Sequence, residues 1–365
     1  MLKDPQLTRR QALAALGSVS ALALAACGNS SSDSSAADSS SASDASSSAD
    51  ADSASTEDVT VRVASLKGPT TIGLVSMMDT TSGVPTEDAP TEPAEGSTGI
   101  TYSYTISGSA DQVLPLVIQG ETDIALVPST AASVLYNKTS GGVRAIDVNT
   151  LGVLSVVTGD TSIEQFEDLA GHTVYLSGQG ASPEYTLNYL LDQAGIADQV
   201  TVEFKSEHSE CAAVLEADPN AIAILPEPFT TATLAKNSAL SAPVSLTDVW
   251  NRFATDGSEF VLGVTVARTE FVDQYPDAIE DFLSRHAESV ATVNADPAAA
   301  APLVVKAGIV SSEEIAEQAI PRCNLVCTTG SEMRNALEGY LQVMYDSNES
   351  SVGGALPGDD FYYGA

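Results

Sequence analysis

The sequence predicts an α/β protein of two lobes, each a mainly parallel sheet flanked by helices, joined by a two-strand hinge. Three observations predict it. Short β-branched runs alternate with helical stretches from Val59 onward. The same alternation restarts after Asp168-Leu-Ala-Gly171. The last third carries helices with apolar stripes but little strand of its own, so it must cover a sheet built earlier in the chain. A chain of 365 residues has room for about two domains, and 43% apolar residues suffice to bury a core.

In chain order, an address and a tether come first. Lys3, Arg9 and Arg10 form a positive start, and Ala12 to Ala26 is an apolar run too short to span a bilayer comfortably. Together they read as an export signal over residues 1–26. Thr8-Arg9-Arg10 has a twin-arginine flavour, but Ala12-Leu13 replaces the usual Phe-Leu, so the export route stays open. Leu24-Ala25-Ala26-Cys27 resembles the lipobox of bacterial lipoproteins, which implies that Cys27 is lipidated and becomes the first mature residue; the alternative is a cleaved signal with an incidental cysteine. Residues 27–58 follow, rich in Ser, Ala and Asp, with acidic but no basic side chains. They lack apolar periodicity and read as a self-repelling linker. A lipid on such a stalk favours a capturing protein over a cytosolic enzyme.

The first α/β unit is expected to run strand Val59–Ser65, helix Thr71–Met78, strand Ile100–Ile106, helix Asp111–Gln119, strand Asp123–Val127, helix Thr130–Lys138 and strand Val143–Val148. A Pro- and acid-rich loop, Gly83 to Gly99, interrupts it, and its stretch from Glu87 to Glu95 has no assignable role. The second unit is expected as strand His172–Leu176, helix Ser182–Ala194, strand Val200–Phe204, helix His208–Leu215, strand Ala221–Leu225 and helix Pro228–Leu234. The chain then returns through a strand at Phe260–Val266 to helices near Asp277–Asn294 and Ser331–Tyr345. The stripe of Ile279, Phe282, Leu283, Val290 and Val293 carries His286, read as a core histidine. The expected organisation is lobe 1 from residues 59–156 plus 258–365 and lobe 2 from 157–257, with crossings near Val153–Thr158 and Phe260–Thr265.

Charge excludes some partners. With 49 acidic and 15 basic residues the formal net charge is −34 and the pI about 4.1. From residue 59 onward 41 acidic and 12 basic residues remain, so the surplus belongs to the folded part. Such a surface repels nucleic-acid phosphates and anionic membranes alike. If Cys27 carries lipid, Cys211, Cys323 and Cys327 are left. The Cys323-x3-Cys327 pair lacks partners at metal-site spacing, so no metal is expected, and either a disulfide or free thiols remain open.

Candidate site residues sit where strands hand over to helices, because open parallel sheets bind ligands at strand carboxyl ends. Four such loops offer capping residues and backbone N–H groups. The first holds Lys67, Gly68 and Thr70, and the second Ser129 and Thr130. The third holds Gly178, Gly180, Ser182 and Tyr185, and the fourth Glu227. Gly178-x-Gly180 resembles the start of a dinucleotide fingerprint, but Pro183 replaces its third glycine and no cofactor is expected. Catalytic patterns are thin: the histidines are His172, His208 and His286, and no Gly-x-Ser-x-Gly or His-Glu-x-x-His occurs. Ser206-Glu-His-Ser-Glu-Cys211 crowds a base and a thiol, and reads better as an acidic helix N-terminus near the cleft than as a nucleophile site. No arginine lies in the four loops and Lys67 is the only nearby base, which favours a neutral or zwitterionic solute, or an aminopyrimidine facing Glu227.

From about Val61 to Tyr363 the chain resembles the substrate-binding lipoproteins of ABC importers, and within them the family of sulfonate-, nitrate- and thiamine-pyrimidine-binding proteins. The resemblance is carried by Leu66-Lys-Gly-Pro-Thr70, Asp123-Ile-Ala-Leu-Val-Pro128, Leu176-Ser-Gly-Gln-Gly-Ala-Ser-Pro-Glu-Tyr185 and Leu225-Pro-Glu-Pro-Phe229, with Leu337-Glu-Gly-Tyr340 and Ser351-Val-Gly-Gly354 in the tail. It implies a periplasmic-binding-protein type II fold and a lipid-anchored monomer on the extracytoplasmic face of the cell membrane. Such a protein captures a small polar solute, a sulfonate, pyrimidine or similar, and delivers it to a permease and its ATPase. Two other classes stay open. A pyrimidine-synthase-like enzyme would share the fold, although its dense cysteine motif is missing and the export signal opposes it. A sensory lipoprotein would use the same domain without a transporter.

Overall fold

The computed structural model describes residues 58–86, 90–93, 95–254 and 257–365. The export signal, Cys27 and all of the linker but Asp58 lie outside the described residues, as does part of the acidic loop. The first sheet opens with β1 (Val59–Leu66), whose alternation buries Val61 and Val63. It continues through α1 (Pro69–Ile72), α2 (Val75–Thr81), β2 (Ile100–Ser107), α3 (Ala110–Ile118), β3 (Ile124–Pro128), α4 (Ser129–Thr139) and β4 (Val143–Leu151). The second sheet takes β5 (Leu154–Thr158), β6 (Thr173–Ser177), α5 (Ser182–Gln193), β7 (Thr201–Lys205), α6 (His208–Ala217), β8 (Ile222–Pro226), α7 (Phe229–Lys236), β9 (Ser241–Ser245) and α8 (Leu246–Phe253). The chain then rejoins the first sheet with β10 (Val261–Arg268), α9 (Thr269–Gln274), α10 (Pro276–Ala295), α11 (Pro297–Lys306), α12 (Glu313–Ala319), β11 (Leu325–Thr328) and α13 (Gly330–Ser347).

The strand orders are β11-β4-β10-β3-β1-β2 and β7-β6-β8-β5-β9. β1 pairs parallel with β2 and β3, while β10 pairs antiparallel with both β3 and β4. β1 to β4 therefore point one way, as the alternating pattern predicts, with β10 wedged in reversed. In the second sheet β6 pairs parallel with β7 and β8, and β5 is antiparallel to β8 and β9. Each sheet thus has one reversed interior strand, and in each case it is the strand entered from the other sheet. The reason is geometric. β1 to β4 end at the boundary between the sheets, so a chain that crosses there must run away from it in the next strand.

The crossings are shorter than expected. β5 lies wholly in the second sheet and β10 wholly in the first, so the chain passes between them at Gly152-Val153 and again just before Val261. A Cβ at Gly152 would stand 2.2 Å from Phe260 and 2.5 Å from Thr247, so only glycine lets the two passages touch. The Gly152 carbonyl accepts from Thr247 Oγ1 at 2.7 Å and also from Asn324 Nδ2. Beside them Tyr189, Trp250, Phe260 and Tyr340 form an aromatic cluster with neighbouring centroids 4.8–6.0 Å apart, joining α5 and α8 to α13 and to the passage just before β10.

Other departures are local. The single helix expected at Thr71–Met78 is two short ones, broken at Gly73 and Leu74, where the backbone comes close to Val290 on α10. The stripe on α10 is buried at Ile279, Phe282, Val290 and Val293, with His286 among them and fully buried. Cys211, Cys323 and Cys327 are free thiols, so no disulfide closes the Cys323-x3-Cys327 pair. No described helix is long and apolar enough to cross a membrane.

Candidate functional site

The carboxyl ends of β1, β3 and β8 meet around a cavity of about 460 Å³ between the two sheets. The first sheet contributes Leu66 through Thr70, Gly108, Pro128, Phe260 and Leu262. Val153 and Leu154 line it at the crossing, and Tyr340 closes it from α13. From the second sheet come Ser182, Pro183, His208 and Pro226 through Phe229. The wall is mainly apolar, with a few polar groups set into it, the ordinary make-up of a small-molecule site.

Five of the ten sequence-predicted residues line this cavity: Lys67, Gly68, Thr70, Ser182 and Glu227. The other five stand aside from its wall, each with a physical reason. Ser129 is buried and donates to the Val261 carbonyl at 2.7 Å, tying α4 to β10. Thr130 faces Ser182 at 3.1 Å, a hydrogen bond from α4 to α5 across the two sheets. Gly180 gives its N–H to Glu184 Oε2 at 2.6 Å, and its carbonyl accepts from Tyr185 at 3.0 Å, so this loop satisfies itself. The Tyr185 hydroxyl also accepts from Asn348 Nδ2 at 2.8 Å. Gly178 packs against Pro183, where a Cβ would come within 3.0 Å. The first loop leads into a helix of only four residues, which gives little of the dipole expected there.

Glu227 is 2% exposed and already engaged. Its Oε2 accepts the Thr231 N–H at 3.2 Å, capping α7, and its Oε1 lies 2.8 Å from Arg322 Nε. Burial raises its pKa above the usual carboxylate range, and Thr231 and Arg322 oppose that. An aminopyrimidine facing Glu227 would have to displace Arg322. The expectation that Lys67 is the sole base nearby is therefore corrected: Arg322, in the turn Ile320–Arg322 before β11, reaches Glu227 from a distant stretch of sequence. Lys67 itself leans over the end of α11, its Nζ 3.7 Å from where a Gly308 Cβ would stand.

Sequence reasoning also passed over His208 and Phe229 as wall residues. His208 Nδ1 is bonded to Ser177 Oγ at the end of β6, and the His208 ring stands 5.2 Å from that of Phe229, tilted by 51°. Burial lowers the pKa of His208, so its imidazole is neutral at neutral pH. The nearby Cys211 thiol is buried and pushed up to about 11, so it stays protonated and is no nucleophile. Among the described residues, Asp147, His286 and Cys327 bring metal-ligand atoms within 4.8 Å of one another. Asp147 is already committed there, to Thr265 Oγ1 at 2.8 Å and His286 Nδ1 at 3.1 Å.

This architecture recurs in solved structures. An ABC transporter protein from Parabacteroides distasonis superposes with a TM-score of 0.68 at 22% identity, covering 84% of this chain and 99% of that one. The periplasmic aliphatic sulphonate binding protein SsuA from Escherichia coli gives 0.60 at 13% identity, covering 79% and 87%. The chain has the fold of ABC-transporter periplasmic binding proteins. The same fold also serves chemistry: the enzyme DszB, in complex with biphenyl-2-sulfinic acid, gives 0.54 at 15% identity, covering 79% and 92%. No family model matches the chain, and a search of curated proteins gives no match.

Proposed function

We propose that the chain is the extracytoplasmic solute-binding lipoprotein of an ABC importer, tethered through Cys27 and the 27–58 linker and working as a monomer. In this reading residues 59–152 plus 260–365 form one lobe and 153–259 the other, the bounds following the two sheets. They close on a small solute, and binding shifts the balance between open and closed forms. The solute meets Lys67, Gly68, Thr70, Ser182 and Glu227, while Thr130 and Ser182 meet each other as the lobes come together. The permease and its ATPase then take the closed form. The observation that carries this reading is the apolar cavity of about 460 Å³ at the carboxyl ends of strands from both sheets.

A thermal-shift screen with sulfonates, nitrate, bicarbonate, pyrimidines and amino acids tests it. A true ligand raises the melting temperature with its concentration, because it binds the folded state alone. A liganded structure with the solute outside this cavity would overturn the reading. An enzymatic role would show as turnover of a bound solute, and the protonated Cys211 gives that no thiolate to start from.

A further inference from the structure

Among the described residues only two large apolar side chains are exposed, Ile118 and Phe229. Scattered exposed apolar residues are ordinary, but Phe229 is 42% exposed and stands in the cavity wall. It opens α7 directly after Pro228, and its ring tilts against that of His208, the first residue of α6. Ser177 holds His208 by Nδ1, which fixes the plane of the imidazole. Two rings from two different helices therefore stand side by side at the second sheet's wall of the cavity, facing the first-sheet side that Phe260 and Tyr340 also line. The one carboxylate in that wall is occupied by Arg322 and the α7 backbone, so it does not supply a ready anchor for a cationic or amine-bearing solute.

We propose that His208 and Phe229 form an aromatic shelf that recognises a planar ring, so that the solute is a small aromatic or heteroaromatic molecule rather than a linear aliphatic one. This rests on the reading of the cavity as the solute site and names its substrate class. Ring pairs in offset or edge-to-face contact gain more than their buried area gives. The neutral imidazole adds a second π face without adding charge. The polar substituent of the ring falls to Lys67 and Ser182.

Full-length protein is titrated calorimetrically with two matched pairs of probes: benzenesulfonate against cyclohexanesulfonate, and benzamide against cyclohexanecarboxamide. Within each pair the polar group is constant and only the planarity of the ring changes. At least one planar member should bind about 10-fold tighter than its saturated partner. Phe229→Leu and His208→Leu should each erode that ratio, whatever they do to the affinity of the saturated member, and Phe229→Tyr should keep it. Equal affinities within both pairs, or a ratio that survives Phe229→Leu, overturn the shelf and leave solute binding intact. Binding of linear sulfonates or amino acids but of neither planar probe does the same. If neither the probes nor any solute of the wider screen binds, the shelf and the proposed function fall together.

Discussion

Asp147 and Glu227 are both buried carboxylates, 0% and 2% exposed, held in opposite ways. Asp147 sits on β4 and takes its partners from the layer that surrounds it. Thr265 Oγ1 comes from β10 and His286 Nδ1 from α10, and Asn149 Nδ2 supports Thr265 at 3.2 Å. Glu227 sits just past the end of β8 in the second sheet, and its charged partner, Arg322, comes from a turn whose neighbours Ile320 and Cys323 pack into the first sheet's core. A buried charge matched within one layer holds that layer together. One matched from the opposite layer holds the two in register, and its cost returns whenever they part. The first is a device of folding and the second of closure.

The largest effect belongs to the first. Asp147→Ala leaves Thr265 and His286 without their acceptor in a dry interior, and is expected to cost about 3–5 kcal/mol. Chemical denaturation measures this. The scattering profile of whatever remains folded should not change, because no partner crosses between the sheets. A Glu227→Ala variant that loses more stability than Asp147→Ala would break the contrast.

Arg322→Ala comes next. The guanidinium is 38% exposed, so water can replace part of what it gives, and the loss should be about 1–2 kcal/mol. Its signature is conformational: a larger radius of gyration without ligand and weaker solute binding. Unchanged dimensions would show that the ion pair does not hold the sheets in register.

Glu227→Gln sharpens the comparison through pH. Burial raises the folded-state pKa of Glu227 above its reference of 4.5. The folded protein therefore holds this proton more tightly than the unfolded chain does. The resulting stability is fully present below about pH 4.5 and is lost as pH rises through the folded pKa. The glutamine variant does not titrate. Its melting temperature relative to the natural protein should thus climb as pH rises from about 4.5 through the folded pKa. A difference that stays flat across that window would mean that Arg322 cancels the burial cost.

The sequence made one side of this contrast more legible than the other. β1 to β4 and β6 to β8 show their period within a few residues, so their order and direction follow from local pattern. β9 hides because Pro243 interrupts it, which an edge strand tolerates, and β11 hides because four residues are too few to show a period. At the site the loop positions of Lys67, Thr70 and Ser182 could be read from the strand-to-helix grammar. The engagement of Glu227 could not, since its partner lies in a distant turn with no motif around Arg322. Phe229 stood within the Leu225-Pro-Glu-Pro-Phe229 run, where attention falls on the carboxylate. Only the fold shows that the ring is left uncovered.

The smallest effect is expected at Thr130. Its hydroxyl meets that of Ser182 at 3.1 Å, and the contact is only partly buried. Thr130→Val keeps the shape and removes the bond. A neutral hydrogen bond nets about 0.5–1.5 kcal/mol, and Ser182 can turn to water once released, so the change should sit near the lower end. It should appear as a slight loosening in solution scattering and about a two-fold weaker solute affinity. That would place the neutral contact below the charged one in holding the sheets together, as their solvation costs require. An effect as large as that of Arg322→Ala would reverse the order and make the hydroxyl pair the main tie across the cleft.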